Sequence, residues 1–312
     1  MNPSLQSIFE VFAVGAGPSS THSIGPQRAA RRFIESLTVP PTRVRVTLYG
    51  SLAATGRGHW TDRTLIRTLD PVRAEIVFDS QATALPHPNT MKFEALDAAG
   101  QSVKEWTVCS IGGGHLAEAD GRPLPATEHP VSYPVANMDD ALDYCRANDL
   151  TFWQLAEQTE TDLWPRLGRI WSAMRDTIRR GLHSKQIILP GRLELARRAG
   201  TTWRRARDLN GTPHDMGLIA AFALAVAEEN AAGMQVVTAP SCGAAGVLPA
   251  VLYFFKTVRR RRLPEILQAL ATAGLFGASI RANATVSGAE AGCQAEIGSA
   301  CSMAAAAVAQ LN

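Results

Sequence analysis

Asn283 to Met303 reads NATVSGAEAGCQAEIGSACSM, a run of small residues carrying the thiols of Cys293 and Cys301. Ser287, Gly288, Ala289, Glu290, Gly292, Cys293 and Gln294 set the first thiol beside a carboxylate and an amide. Small residues let a backbone approach a bulky ligand closely, and a thiolate is a soft metal ligand. Working outward, Ser299 to Leu311 is alanine-rich and helix-like, as is Pro264 to Ala282. Asp215 to Asn230 is apolar almost all round, the pattern of a buried helix. This half of the chain reads as helical.

The first half reads differently. Ser7 to Val14 is an apolar run, expected as a strand leading into the loop Gly15-Ala16-Gly17-Pro18. Pro26 to Leu37 has helical spacing, with Ala29, Ala30, Phe33, Ile34 and Leu37 on one side. Arg43 to Tyr49 (RVRVTLY) alternates as a half-buried strand does, Glu75 to Phe78 and Met91 to Leu96 are short strands, and Ser102 to Ile111 alternates again. Gly112-Gly113-Gly114 breaks that pattern as a loop. Pro134 to Leu150 holds a short helix, and a longer one, capped by Asp149 or Thr151, runs to about Leu182. The expected architecture is α+β with two domains: α/β over 1–155, a helical linker over 156–190 and a helical domain over 191–312.

With 312 residues the chain has room for two ordinary cores. Its 31 basic and 28 acidic side chains nearly balance, which gives no argument for a nucleic-acid partner. The run Lys256 to Arg262 (KTVRRRR) has no interleaved aromatics and reads as a solvated helix end. Five widely spaced cysteines do not resemble a disulfide framework, and no secretory signal pattern opens the sequence. The longest apolar run, Met216 to Val226, is too short to span a bilayer, so no membrane partner is expected. A reducing cytoplasm is the expected compartment.

Gly15 to Pro26 reads GAGPSSTHSIGP and places His22 among hydroxyls. Histidine is the side chain most easily poised as an acid or base near neutrality, and hydroxyls with loop amides bind carboxylate or phosphate. His59 and Asp62 read as residues of a loop leading into a helix. Cys109, in a strand, and Cys145, in a helix, read as buried structural thiols. Cys301 follows Cys293 by eight positions, about 80° apart on one continuous helix, and reads as a packing residue.

Gly17-Pro18-Ser19-Ser20-Thr21-His22-Ser23-Ile24-Gly25-Pro26 resembles the N-terminal motif of the iron–sulfur L-serine dehydratases, with Thr21 where Ser is usual and Ser23 where Thr is usual. Gly292-Cys293-Gln294, followed by Glu296 and Cys301-Ser302-Met303-Ala304, is similar to that family's iron-ligating segment. Leu48 to Ala53, Thr55 to His59, His87 to Met91, Leu189-Pro190-Gly191, Glu228 to Gly233 and Val236 to Gly246 (VVTAPSCGAAG) extend the likeness over nearly the whole chain.

The resemblance implies a serine dehydratase beta-type domain followed by a helical alpha-type catalytic domain. It implies a [4Fe-4S] cluster and L-serine as substrate, with His22 as base and Cys293 as iron ligand. Ser19, Ser20, Thr21, Ser23, Gly25, Ser241 and Gly243 are the substrate-binding positions it suggests. Family members carry two further cluster cysteines in a downstream Cys-Asp-Pro … Pro-Cys segment absent here, so the catalytic domain is expected to be C-terminally incomplete. Cys242 and Cys301 are then substitute ligands, and a homodimer or a partner chain is expected to supply the missing segment. Two other readings stand beside this one. A pyridoxal-phosphate enzyme would need a lysine in a substrate loop, and Lys92 sits in a strand-like segment instead. An inactive or regulatory relative would bind a small amino acid through its N-terminal domain.

Overall fold

A computed structural model of the chain describes residues 4–125, 131–191, 193–286 and 288–312, and only the backbone of 288–291. The chain forms two compact units, Gly15–Ala126 and Met1–Val14 with Thr127–Asn312. The architecture is α+β.

Strand β1 (Val14–Ala16) leads, at the start of the Gly15–Ala126 unit, into a π-helical turn, Ser20–Ile24, and then α1 (Gly25–Glu35). β2 (Arg43–Tyr49), α2 (Gly50–Thr55), α3 (Thr61–Leu69), β3 (Arg73–Asp79), β4 (Thr90–Leu96), β5 (Ser102–Ser110) and β6 (Leu116–Glu118) follow. The five strands after β1 form one sheet in the order β3-β2-β4-β5-β6. Only β2 and β3 run parallel, and a parallel pair needs a crossover, which α2 and α3 supply. Alternation along β2 turns Val44, Val46 and Leu48 to the core, where they meet Ala29, Ala30 and Phe33 of α1. Phe33 and Phe93 stack with ring centroids 5.3 Å apart. These buried side chains make a core of the unit's own. A fragment spanning 15–126 is therefore expected to unfold in one cooperative urea transition by circular dichroism. A fragment that stays molten, with no transition, would contradict that reading.

The other unit is helical: α4 (Met138–Ala147), α5 (Phe152–Thr159), α6 (Leu163–Leu182), α7 (Ala199–Arg207), α8 (Gly211–Ala231), the short strand β7 (Gln235–Val237), α9 (Val247–Thr257), α10 (Leu263–Asn283) and α11 (Gly288–Leu311). Leu248, Leu252, Ile266, Leu270, Leu275, Met303 and Ala307 share one buried cluster with Leu167 and Met174. Of the described helices α10 alone is long and apolar enough to cross a membrane by composition, yet 61% of its apolar window is buried. α11 is interrupted at Gly292, whose φ of 72° lies in the left-handed region that favours glycine.

Several expectations are corrected. Ser7 to Val14 is not one strand. Ser7 caps a 3-10 turn at Ile8–Glu10, and the buried Glu160 carboxylate accepts hydrogen bonds from the Ile8 amide (2.8 Å), Ser7 Oγ (2.9 Å) and the Tyr133 hydroxyl (3.0 Å). The long helix expected up to Leu182 is two, α5 and α6, with Thr151 making a capping box at the first. The units also divide at Ala126, not near residue 155, because Ala141, Cys145 and Leu155 bury themselves in the helical core. The arginine run, by contrast, is the solvated helix end that was expected: α9 ends at Thr257, Arg259, Arg260 and Arg262 are exposed, Arg259 pairs with Asp215 at 2.8 Å, and Arg261 and Arg262 pair with Glu265.

Candidate functional site

His22 sits in the π-helical turn, whose amides fold back onto Ser19: Ser23 N–H and Ile24 N–H both donate to the Ser19 carbonyl. The turn is held from outside by hydroxyls. Thr61 Oγ1 donates to the His22 carbonyl (2.6 Å), Ser110 Oγ to the Thr21 carbonyl (2.8 Å) and Ser23 Oγ to the His59 carbonyl (3.1 Å). Gly25 admits no side chain, since a Cβ there would lie 2.1 Å from Ser110 Oγ.

The imidazole is cradled by α2. Ser51 and Thr55, four residues apart and so on one face, bring their hydroxyl oxygens to 3.2 and 3.0 Å from His22 Nε2, while Ser19 Oγ lies 3.5 Å from Nδ1. The His59 ring lies against it, with centroids 4.4 Å apart. His59 Nδ1 is 3.0 Å from the Thr55 carbonyl, which can only accept, so that nitrogen carries a proton.

Burial, with the neighbouring His59 charge adding to it, lowers the His22 pKa from 6.5 to about 4. The ring is thus a neutral imidazole at neutral pH. In the unfolded chain it takes a proton near pH 6.5, whereas in the fold it resists one until about pH 4. Stability is therefore complete above pH 6.5 and falls as pH drops through this window. The loss is on the order of 2 kcal/mol, allowing for the ring's partial exposure. Denaturant midpoints of wild type and His22→Asn between pH 7 and 4 should show the loss only in the wild type.

The remaining predicted residues lie in the helical unit. Ser241, Cys242 and Gly243 occupy the loop before α9, and a Cβ on Gly243 would sit 3.0 Å from Glu296 Oε2. Glu296 of α11 thus packs directly against this loop. Ser241 is 1% exposed and its Oγ has no hydrogen-bond partner among the described residues. Cys242 is 2% exposed, and burial first, then the Glu296 charge, pushes its thiol pKa up. That keeps it a neutral thiol, a poor metal ligand as it stands.

Cys293 and Cys301 are both exposed on α11 beyond the Gly292 break, so Cys301 is not the packing residue expected from its spacing. Cys109 and Cys145 are buried as anticipated. Ser287 lies outside the described residues. A four-iron cluster takes several thiolates. Among the described residues no group of three or more His, Cys, Asp or Glu is placed to hold a metal. These residues by themselves do not fit the complete ligand set of such a cluster.

The hydroxyls divide by role. Ser20, Ser23 and Gly25 are buried in the turn, whereas Ser19 and Thr21 are only half-buried, Ser19 with its Oγ beside the imidazole. Sequence reasoning missed Ser51, Thr55 and the stacking of His59. Their signals were the segments Tyr49-Gly50-Ser51 and Thr55-Gly56-Arg57-Gly58-His59, which carry polar side chains at helical spacing but no apolar period.

Comparison with known proteins bears on the same residues. Residues 7–73 match the family model of the serine dehydratase beta chain, and 83–312 that of the serine dehydratase alpha chain. An L-serine dehydratase of Streptomyces coelicolor is 38% identical, over 98% of this chain and 78% of that protein. L-serine dehydratase of Haemophilus influenzae and L-serine dehydratase 2 of Escherichia coli are each 35% identical over the same shares.

Proposed function

The chain belongs to the serine dehydratase family, and from that premise we propose that it is a lyase that deaminates L-serine to pyruvate and ammonia. The observation that carries the chemical reading is the neutral His22 imidazole, held in place by Ser51 and Thr55 and buried enough to refuse a proton near pH 7.

His22 is the base that takes the Cα proton. A pKa near 4 makes the free imidazole fully neutral at pH 7 but weakly basic. An anionic substrate carboxylate bound close by would favour the imidazolium and raise that value towards the range where proton abstraction is efficient. Ser19 and Thr21, both half-buried, are proposed to receive that carboxylate, with Ser20, Ser23 and Gly25 shaping the turn. Ser241, whose Oγ is buried without a partner among the described residues, and Gly243, close against the Glu296 carboxylate, are proposed as substrate-binding positions of their own loop. When the Cα–H bond breaks, the electron pair forms the Cα–Cβ double bond and hydroxide leaves Cβ. The resulting enamine tautomerises to an imine, and water releases ammonia and pyruvate.

We propose a [4Fe-4S] cluster as cofactor, with Cys293 the thiolate that this chain contributes and Cys242 and Cys301 as substitutes. The remaining ligands would come from outside the described residues, a second copy or a partner chain being the proposed source. The cytoplasm is the proposed compartment. The alternative of an inactive amino-acid-binding relative has no support in the family matches.

The test is direct. The chain, loaded anaerobically with iron and sulfide together with the second copy or partner chain that completes the ligand set, and given L-serine, is expected to release pyruvate and ammonia in equal amounts. Iron-loaded protein that yields neither would overturn the reading.

A further inference from the structure

Arg28, Arg31, Arg32 and Glu35 recur at intervals of three and four along α1, so the helix turns them to one side. That side is opposite the buried Ala29, Ala30 and Phe33. Together with Gly114 and the buried His115 they line a cavity of about 200 Å³. Like charges three and four apart weaken a helix, so this stripe is unfavourable to the fold by itself.

The guanidinium groups are fixed at their edges. Arg28 Nη1 donates to the Gly114 carbonyl at 2.8 Å, and Arg32 donates to the Pro125 carbonyl. A carbonyl orients a guanidinium without cancelling its charge. Arg31 makes no hydrogen bond or ion pair among the described residues and is exposed at the cavity. Among the described lining residues, three guanidinium groups stand against one carboxylate, that of Glu35. A guanidinium presents paired N–H donors that match two oxygens of a carboxylate or phosphate at once.

We propose that this cavity is a binding site for a small, doubly charged oxyanion, a dicarboxylate or a phosphorylated metabolite. The volume suits a ligand of a few to about ten heavy atoms, and a charge of two matches the excess of arginine over glutamate. The site lies wholly within the Gly15–Ala126 unit and does not depend on the serine reading.

Isothermal titration of the full chain at low ionic strength, with inorganic phosphate and separately with malonate, tests this. At least one anion is expected to bind saturably at one site per chain. Arg31→Ala should weaken that binding at least tenfold, and Arg31→Lys, which keeps the charge and loses the paired donors, should fall between. Binding of phosphate alone would point to a phosphorylated ligand and binding of malonate alone to a dicarboxylate, and either supports the site. Arg31 makes no hydrogen bond or ion pair among the described residues and is exposed, so its variants should keep the wild-type circular dichroism. Absence of saturable binding by both anions would overturn the proposal. So would an Arg31→Ala affinity equal to that of the wild type.

Discussion

His22→Asn is expected to lose serine turnover by about 10²- to 10⁴-fold in reconstituted protein, the usual contribution of a positioned general base. Asparagine keeps a polar group among Ser19, Ser51 and Thr55 but cannot take up a proton at any relevant pH. The turn itself should survive, because it is held by main-chain carbonyls that accept from Thr61, Ser110 and Ser23 and not by the imidazole. Steady-state pyruvate release at equal iron content measures the effect. Turnover within a factor of a few of wild type would remove His22 from the chemistry.

Glu229→Ala is expected to cost about 3–5 kcal/mol of stability, the range for breaking a buried ion pair from one side. The Glu229 side chain is 4% exposed, with Arg197 Nη1 at 3.0 Å and Arg180 Nε at 3.1 Å. Arg197 is itself 7% exposed, and its other carboxylate neighbour, Glu228, is 3.8 Å away. Glu228 meanwhile accepts the Arg198 and Ala199 amides at the start of α7. Removing Glu229 leaves the Arg197 charge buried with Glu228 Oε2, 3.8 Å away, as its remaining carboxylate neighbour. Since these residues join the C-terminal end of α8 to α6 and to the segment before α7, the loss should appear in the global transition. A shift in denaturant midpoint equivalent to less than about 1 kcal/mol would show that water or Glu228 compensates.

Where the sequence carried a period, it was read correctly. The helix at Gly25–Glu35 follows from the spacing of Ala29, Ala30 and Phe33, and β2 from its alternation. The apolar helices α8 and α10 follow from their composition. Elements set by contacts distant in sequence were not legible. Ile8–Glu10 winds into a 3-10 turn because Glu160, some 150 positions away, takes its amide. α2 and α3 begin at Gly50, with φ 51°, and after Trp60, with φ 60°, and α2 shows no apolar stripe. The boundary was misplaced for a related reason. The last strand legible in the sequence is Ser102 to Ile111, and only packing shows that α4 and α5 join the helical core.

The site divides in the same way. His22 and its flanking hydroxyls announce themselves as a motif, and the loop at Ser241 to Gly243 does so as part of a longer one. The cradle does not, since Ser51, Thr55 and His59 come from about 30 to 40 positions downstream and meet the imidazole only through the fold. Nor could sequence reveal that the Cys242 thiol is buried and held neutral beside Glu296 while Cys301 faces solvent.

The pH dependence of kcat/KM for pyruvate release from L-serine tests the central claim most directly, because it reports the essential base of the free enzyme. With His22 neutral down to about pH 4, the rate should hold through pH 6.5 and fall only as pH approaches 4. A rate that already halves near pH 6.5, or one that shows no acid limb at all below pH 4, would contradict a buried, neutral His22 as the group that takes the Cα proton.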